Sequence, residues 1–168
     1  MTIPKRYRIA SVLLAVLLLV GCGNDSGNGT PTGGQVPTAL PATETWQDFG
    51  DYVVHFRALN TDELSPEIAS SYGITRSRSR AMLNVSVLRK EDGSPGRPVH
   101  GSVTAVASSL TGQERSISMR EIDEGDAVYY IGELPVTNQE TLVFSIEVVP
   151  SGETSRFSVR FRQQFFTD

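Results

Sequence analysis

Arg76, Arg78 and Arg80 recur at every second residue in the stretch TRSRSRA. Alternate residues of a β-strand point to one face. With Leu83, Val85 and Val87 directed inward, the three guanidinium groups would line the opposite side, continued by Asn84 and Ser86. Such a row could hold lipid phosphates or a partner's carboxylates bidentately. As a solvated edge it would instead guard a strand against unwanted pairing. A second cluster, EIDEGD, gathers Glu121, Asp123, Glu124 and Asp126, and closely spaced carboxylates are calcium chemistry. The Asp-x-Asp-x-Asp-Gly order of a calcium loop is absent, so an acidic, solvated turn is the competing reading. Nucleophilic catalysis needs a base, usually His, beside the nucleophile. Only His55 and His100 are available, on different predicted strands and facing outward. No hydrolase constellation results. Two histidines without a free thiol also leave no structural zinc site, and no cofactor is implied.

The single cysteine, Cys22, closes the stretch ASVLLAVLLLVGC. Lys5, Arg6 and Arg8 precede an apolar run from Ile9 to Val20. Twelve helical residues cover about 18 Å of a hydrocarbon core about 30 Å thick, so the run is short for a span. A basic flank, a short apolar run and small residues at its end match a secretory signal peptide. The closing Leu19-Val20-Gly21-Cys22 resembles the lipobox of bacterial lipoproteins. That resemblance implies cleavage after residue 21 and diacylglycerol on the Cys22 thiol. Two or three acyl chains anchor stably where one binds marginally. Gly23 stands where an Asp would favour inner-membrane retention, which points to the outer membrane.

Residues 22–45 carry few apolar residues, no aromatic residue and dense Gly, Pro, Thr and Asn, the composition of a disordered tether. Its r.m.s. span would be about 27 Å, and roughly 80 Å at full extension. Without residues 1–21 the chain has 12 basic against 19 acidic side chains, a balance of −7. That balance argues against general nucleic-acid binding. One cysteine cannot form a disulfide within the chain, so the fold must rest on its core.

The elements that must position these groups begin at Trp46, where apolar residues start to alternate between turns. Seven runs read as strands: FGDYVVHFRAL, AMLNVSVLRK, PVHGSVTAVA, RSISMRE, AVYYIGEL, TLVFSIEVV and RFSVRFRQQF. Between the first two, SPEIASSYG predicts a short helix with Ser65 as N-cap, Pro66 at the first position and Gly73 as its stop. Ile68 and Tyr72 are expected to pack that helix on the sheets. About seven short strands over residues 46–168 predict an all-β, immunoglobulin-like antiparallel β-sandwich. Within GDAVYY, Tyr129 is the candidate for a tyrosine corner. Phe165 and Phe166 are expected to cap the core.

The stretch from Phe49 to Leu88, with EGDAVYYIGELPV and ETLVFSIEVVP, resembles the family catalogued as domain of unknown function 4426. The resemblance covers about residues 47–166 and implies an exported all-β domain with no assigned catalytic residues. The family commonly carries Asn at the place of Arg57, and often an ordinary cleaved signal peptide where this chain has a lipobox. The expected protein is therefore a lipoprotein of the cell envelope, facing the periplasm. It would act as a non-catalytic binding or assembly module whose partner is a protein or an envelope glycan or lipid. A calcium-dependent enzyme or accessory domain, and a structural spacer, are the alternatives.

Overall fold

The computed structural model of the chain describes Ala39 and residues 43–168. The stretch read as a signal peptide, Cys22 and nearly all of the stretch read as a tether lie outside the described residues. Among the described residues ten strands form two antiparallel sheets. The first sheet comprises β1 (Trp46–Phe49), β2 (Tyr52–Asn60), β3 (Arg80–Arg89), the two-residue β4 (Arg97–Pro98), β7 (Arg120–Asp123) and β8 (Val128–Pro135). Its order is β1-β2-β3-β8-β7, with β4 paired to β3. The second sheet, in the order β10-β9-β5-β6, holds β5 (Gly101–Ser109), β6 (Glu114–Ile117), β9 (Thr141–Pro150) and β10 (Phe157–Gln164). The predicted immunoglobulin-like sandwich is the fold.

Period-2 alternation decides the core. Val54, Phe56, Leu83, Val85 and Val87 of the first sheet face Ala105, Ala107, Phe144, Ile146, Val159 and Phe161 of the second, all buried. Ring stacking joins the layers. Phe56 lies 4.8 Å from Phe161, which stacks on Phe144 at 4.9 Å, and Phe144 meets Phe165 edge-on at 6.2 Å. Of the terminal pair only Phe165 caps the core. Phe166, the next residue, points outward and is 60% exposed.

Seven predicted runs become ten strands because three of them bend. The first breaks at Gly50, whose φ of +76° supports a tight turn, making β1 and β2 a hairpin. The third and fourth runs each change sheets midway, at Val99–His100 and at Ser118–Met119. The second of these crossings lies on Gly132 of β8, where even a methyl group would sit 2.5 Å from Ile117 Cγ2 and 2.7 Å from Met119 Sδ. Bare backbone at that position gives the crossing strand its room.

The β2–β3 connection folds back over the outer face of the first sheet. It holds a 3-10 turn, Thr61–Glu63, and the predicted helix, α1 (Pro66–Ser71). Ser65 accepts from the Ile68 N–H at 3.3 Å, and Gly73 ends the helix with φ +64°. Ala69, Ile74, Met82 and Ile131 form a second small core there, with Leu59, Tyr72 and Tyr129 against it. Tyr72 packs as expected, whereas Ile68 is exposed and Ala69 takes the inward place. Thr61 pins the connection from a fully buried position. Its hydroxyl accepts from the Ser77 N–H at 2.9 Å and lies 2.9 and 3.1 Å from the Thr75 and Ser77 carbonyls.

Candidate functional site

The second core covers only part of the first sheet's outer face. Beyond it, register places Trp46, His55 and Ser86 side by side across β1, β2 and β3. Two residues along, Arg57 of β2 faces Asn84 of β3. All five therefore share the face opposite the buried Val54, Phe56, Val85 and Val87. All but Trp46 border a cleft of about 230 Å³ lined by Thr45, His55, Phe56, Arg57, Asn84 and Ser86. Thr45 is held there because its carbonyl accepts from the Phe56 N–H at 2.9 Å.

Here the polar side chains do not satisfy one another. His55, Arg57, Asn84 and Ser86 make no side-chain hydrogen bond or ion pair among the described residues. Asn84 Oδ1 is buried and has no hydrogen-bond partner. Buried acceptors are nearly always paired, because leaving one unpaired costs about 1–3 kcal/mol. Arg57, exposed beside it, has no ion pair among the described residues. The sequence had shown Asn84 and Ser86 as outward residues and His55 as an outward strand residue. What it could not show was that β1 and Arg57 join them across the sheet.

The arginines read as one row are not one. Arg76 and Arg78 lie in the loop before β3, which begins only at Arg80. The guanidinium of Arg76 donates to the Asp62 carbonyl at 2.7 Å, and Arg78 pairs with the Asp62 carboxylate at 3.5 Å. Arg80 reaches across to Glu133 of β8 at 3.2 Å. Each is tied to its own surroundings: Arg76 and Arg78 tie the β2–β3 connection to itself through Asp62, and Arg80 joins β3 to β8.

The acidic residues also part. Glu121 and Asp123 belong to the edge strand β7, and Glu124 and Asp126 to the turn that follows. Glu124 accepts from the Tyr72 hydroxyl at 3.0 Å, and Asp123 from the Gly125 N–H at 2.8 Å. Among the described residues no three His, Cys, Asp or Glu side chains gather where they could hold a metal ion. The stretch is half strand and not a single loop: Glu121 and Asp123 both lie against His100, at 3.1 and 3.9 Å, while Glu124 and Asp126 sit in the turn.

Glu121 instead belongs to a polar junction between the sheets. It accepts from the Tyr130 hydroxyl at 2.8 Å and stands 3.1 Å from His100 Nδ1. The same hydroxyl accepts from the Gly101 N–H, at the start of β5, at 2.7 Å. Tyr130, not Tyr129, is thus the tyrosine that locks two segments together; Tyr129 faces the second core. Burial, and then the hydrogen bond to the Glu121 carboxylate, push the Tyr130 phenol above its ordinary range. A hydrogen bond to Glu153 does the same for Tyr52, and burial followed by Glu124 for Tyr72. A raised phenol pKa leaves stability intact below the unfolded value and removes it above. The melting temperature is therefore expected to fall as pH rises past about 10. Tyr130→Phe should flatten that fall, and equal slopes for the two proteins would refute the assignment.

Together these features define a class: an immunoglobulin-like antiparallel sandwich with a small polar cleft on the outer face of one sheet. Within that class the chain belongs to the family described as domain of unknown function (DUF4426), which matches residues 46–168. It is 35% identical to a DUF4426 family protein of Pseudomonas aeruginosa PAO1, whose crystal structure matches with a TM-score of 0.63 over 73% of this chain and 94% of that one. The fold is also similar to FetP of uropathogenic Escherichia coli strain F11, recombinantly expressed in the periplasm. That match has 9% identity and a TM-score of 0.52 over 72% and 92% of the two chains. A copper-bound variant of FetP matches at 9% identity with a TM-score of 0.53, over 76% of this chain and 97% of that one. No curated protein matches the chain.

Proposed function

We propose that this protein is a lipid-anchored lipoprotein of the cell envelope, facing the periplasm from the outer membrane. Its sandwich would serve as a non-catalytic binding module. The observation that carries the reading is the cleft: four polar side chains, Asn84 among them, without partners among the described residues. Nucleophilic catalysis would need a base hydrogen-bonded to its nucleophile and oriented by a third group. His55 stands opposite Ser86 with no hydrogen bond between their side chains and no carboxylate bonded to its ring among the described residues, which favours recognition over turnover. Anchoring rests on the signal sequence that ends at Cys22, and the tether would let the domain stand clear of the headgroups.

Crosslinking of the intact protein in cells, followed by mass spectrometry, tests the module. One dominant envelope partner is expected, with capture lost in Cys22→Ser; recovery of background species alone would count against it. Cys22→Ser is separately expected to abolish acyl incorporation completely, because no other thiol exists in the chain. Continued labelling with a fatty-acid probe would disprove anchoring at this residue.

A further inference from the structure

Resting on the reading of the cleft as a binding site, we propose that its ligand is an acidic sugar residue, a pyranose bearing one carboxylate. Charge is the first argument. The lining contains Arg57 and no Asp or Glu, on a chain whose formal charge is −4. Among the described residues Arg57 has no ion pair, whereas Arg78, Arg80, Arg97, Arg115 and Arg156 each have a carboxylate partner. A free guanidinium is a fork for a planar carboxylate. With a single permanent positive charge in the cleft, a monoanion is matched and a phosphate monoester dianion is not.

The neutral polar lining is the second argument. Asn84 brings an amide to the cleft, a neutral polar group that suits a ligand hydroxyl or N–H rather than a second charge. Ser86 and Thr45 add hydroxyls able to donate or accept, and His55 adds a ring nitrogen on the same rim. Neighbouring strands lie about 4.8 Å apart, and alternate residues about 7 Å along a strand. The Arg57/Asn84 and His55/Ser86 rungs therefore offer polar groups at the spacing of substituents around one six-membered ring. Trp46, beside His55 in register and 51% exposed, adds a flat apolar surface for a sugar's C–H face. Size is the last argument. At about 230 Å³ the cleft falls below the range of drug-sized pockets. One ring fits, and the rest of a glycan would run out along the open face of the sheet.

The test titrates the full-length protein in detergent with D-glucuronate, D-glucose and N-acetylglycine, followed by calorimetry and by NMR of tryptophan and backbone amides. Saturable glucuronate binding is expected, with glucose and N-acetylglycine each weaker by about tenfold or more, the size of one charge-assisted hydrogen bond or its geometric equivalent. Arg57→Gln should weaken glucuronate by about tenfold and leave glucose unchanged. Asn84→Leu should weaken both sugars while leaving the melting temperature unchanged or higher, since it removes an unpaired buried acceptor. A merely structural asparagine would lower it. Equal binding of glucuronate and glucose, no saturable binding, or full binding by Arg57→Gln would overturn the proposal, as would tighter binding of N-acetylglycine. If these titrations fail while crosslinking in cells still captures an envelope partner, the ligand class falls and the binding module stands. Failure of both removes the module as well.

Discussion

Replacing Phe144 by Ala is expected to remove about 3–5 kcal/mol of folding stability, the largest effect of any single truncation proposed here. Phe144 is wholly buried at the centre of β9, paired with Phe161 of β10 on one side and with Ala107 of β5 on the other. Its ring stacks on Phe161 and receives the edge of Phe165, and Phe161 in turn contacts Phe56 of the other sheet. Truncation would therefore open a cavity in the stack that joins the layers. The small Ala107 opposite cannot fill it. Domains of this size are held by only about 5–15 kcal/mol in total, and this chain's single cysteine offers no internal disulfide in reserve. Urea denaturation followed by tryptophan fluorescence or circular dichroism measures the loss. Phe166→Ala, at an exposed ring, should stay within about 0.5 kcal/mol of the parent. Similar midpoints for both variants would contradict the stacked core.

Gly101→Ala is the second large effect, and it acts by excess rather than loss. Gly101 opens β5 just after the chain leaves the first sheet, opposite Pro150 of β9. A Cβ there would lie 2.5 Å from the Val149 carbonyl oxygen and 3.0 Å from the Pro150 Cα. Both neighbours are backbone, so relief requires moving one strand away from its partner instead of turning a side chain. The same shift would pull the Gly101 N–H from the Tyr130 hydroxyl. A destabilisation of about 1–3 kcal/mol or somewhat more is expected. Ser102→Ala, exposed on the next residue, should be nearly neutral. Equal denaturation midpoints for Gly101→Ala and the parent would show that the strands part easily there.

The sandwich was legible because alternation is a strong, local signal. Val54 and Phe56, or Leu142, Phe144 and Ile146, announce a buried face by spacing alone. The helix was legible for the same reason, through Ser65, Pro66 and Gly73 within one stretch. Strand breaks were less so. A run that changes sheets at Ser118–Met119 keeps its alternation, and the glycine that accommodates it, Gly132, lies far along the chain. The arginine row misled because period 2 was carried backward from Leu83 into a loop, where Arg76 and Arg78 answer to Asp62. The cleft is the hardest part to read. His55, Arg57, Asn84 and Ser86 are ordinary outward residues until pairing of β2 with β3 sets them in adjoining rungs. Only the three-dimensional structure shows that Asn84 Oδ1 lacks a partner.

The central claim is that the chain engages the envelope through this cleft, and site-directed photocrosslinking in living cells tests it most directly. A photoreactive residue would be placed at Arg57, within the cleft, and in a second strain at Ser102, on the outer face of the opposite sheet. A discrete envelope adduct is expected from position 57, none from position 102, and loss of the adduct when Cys22→Ser is added. Equal adducts from both positions, or none from position 57 in the anchored protein, would contradict it.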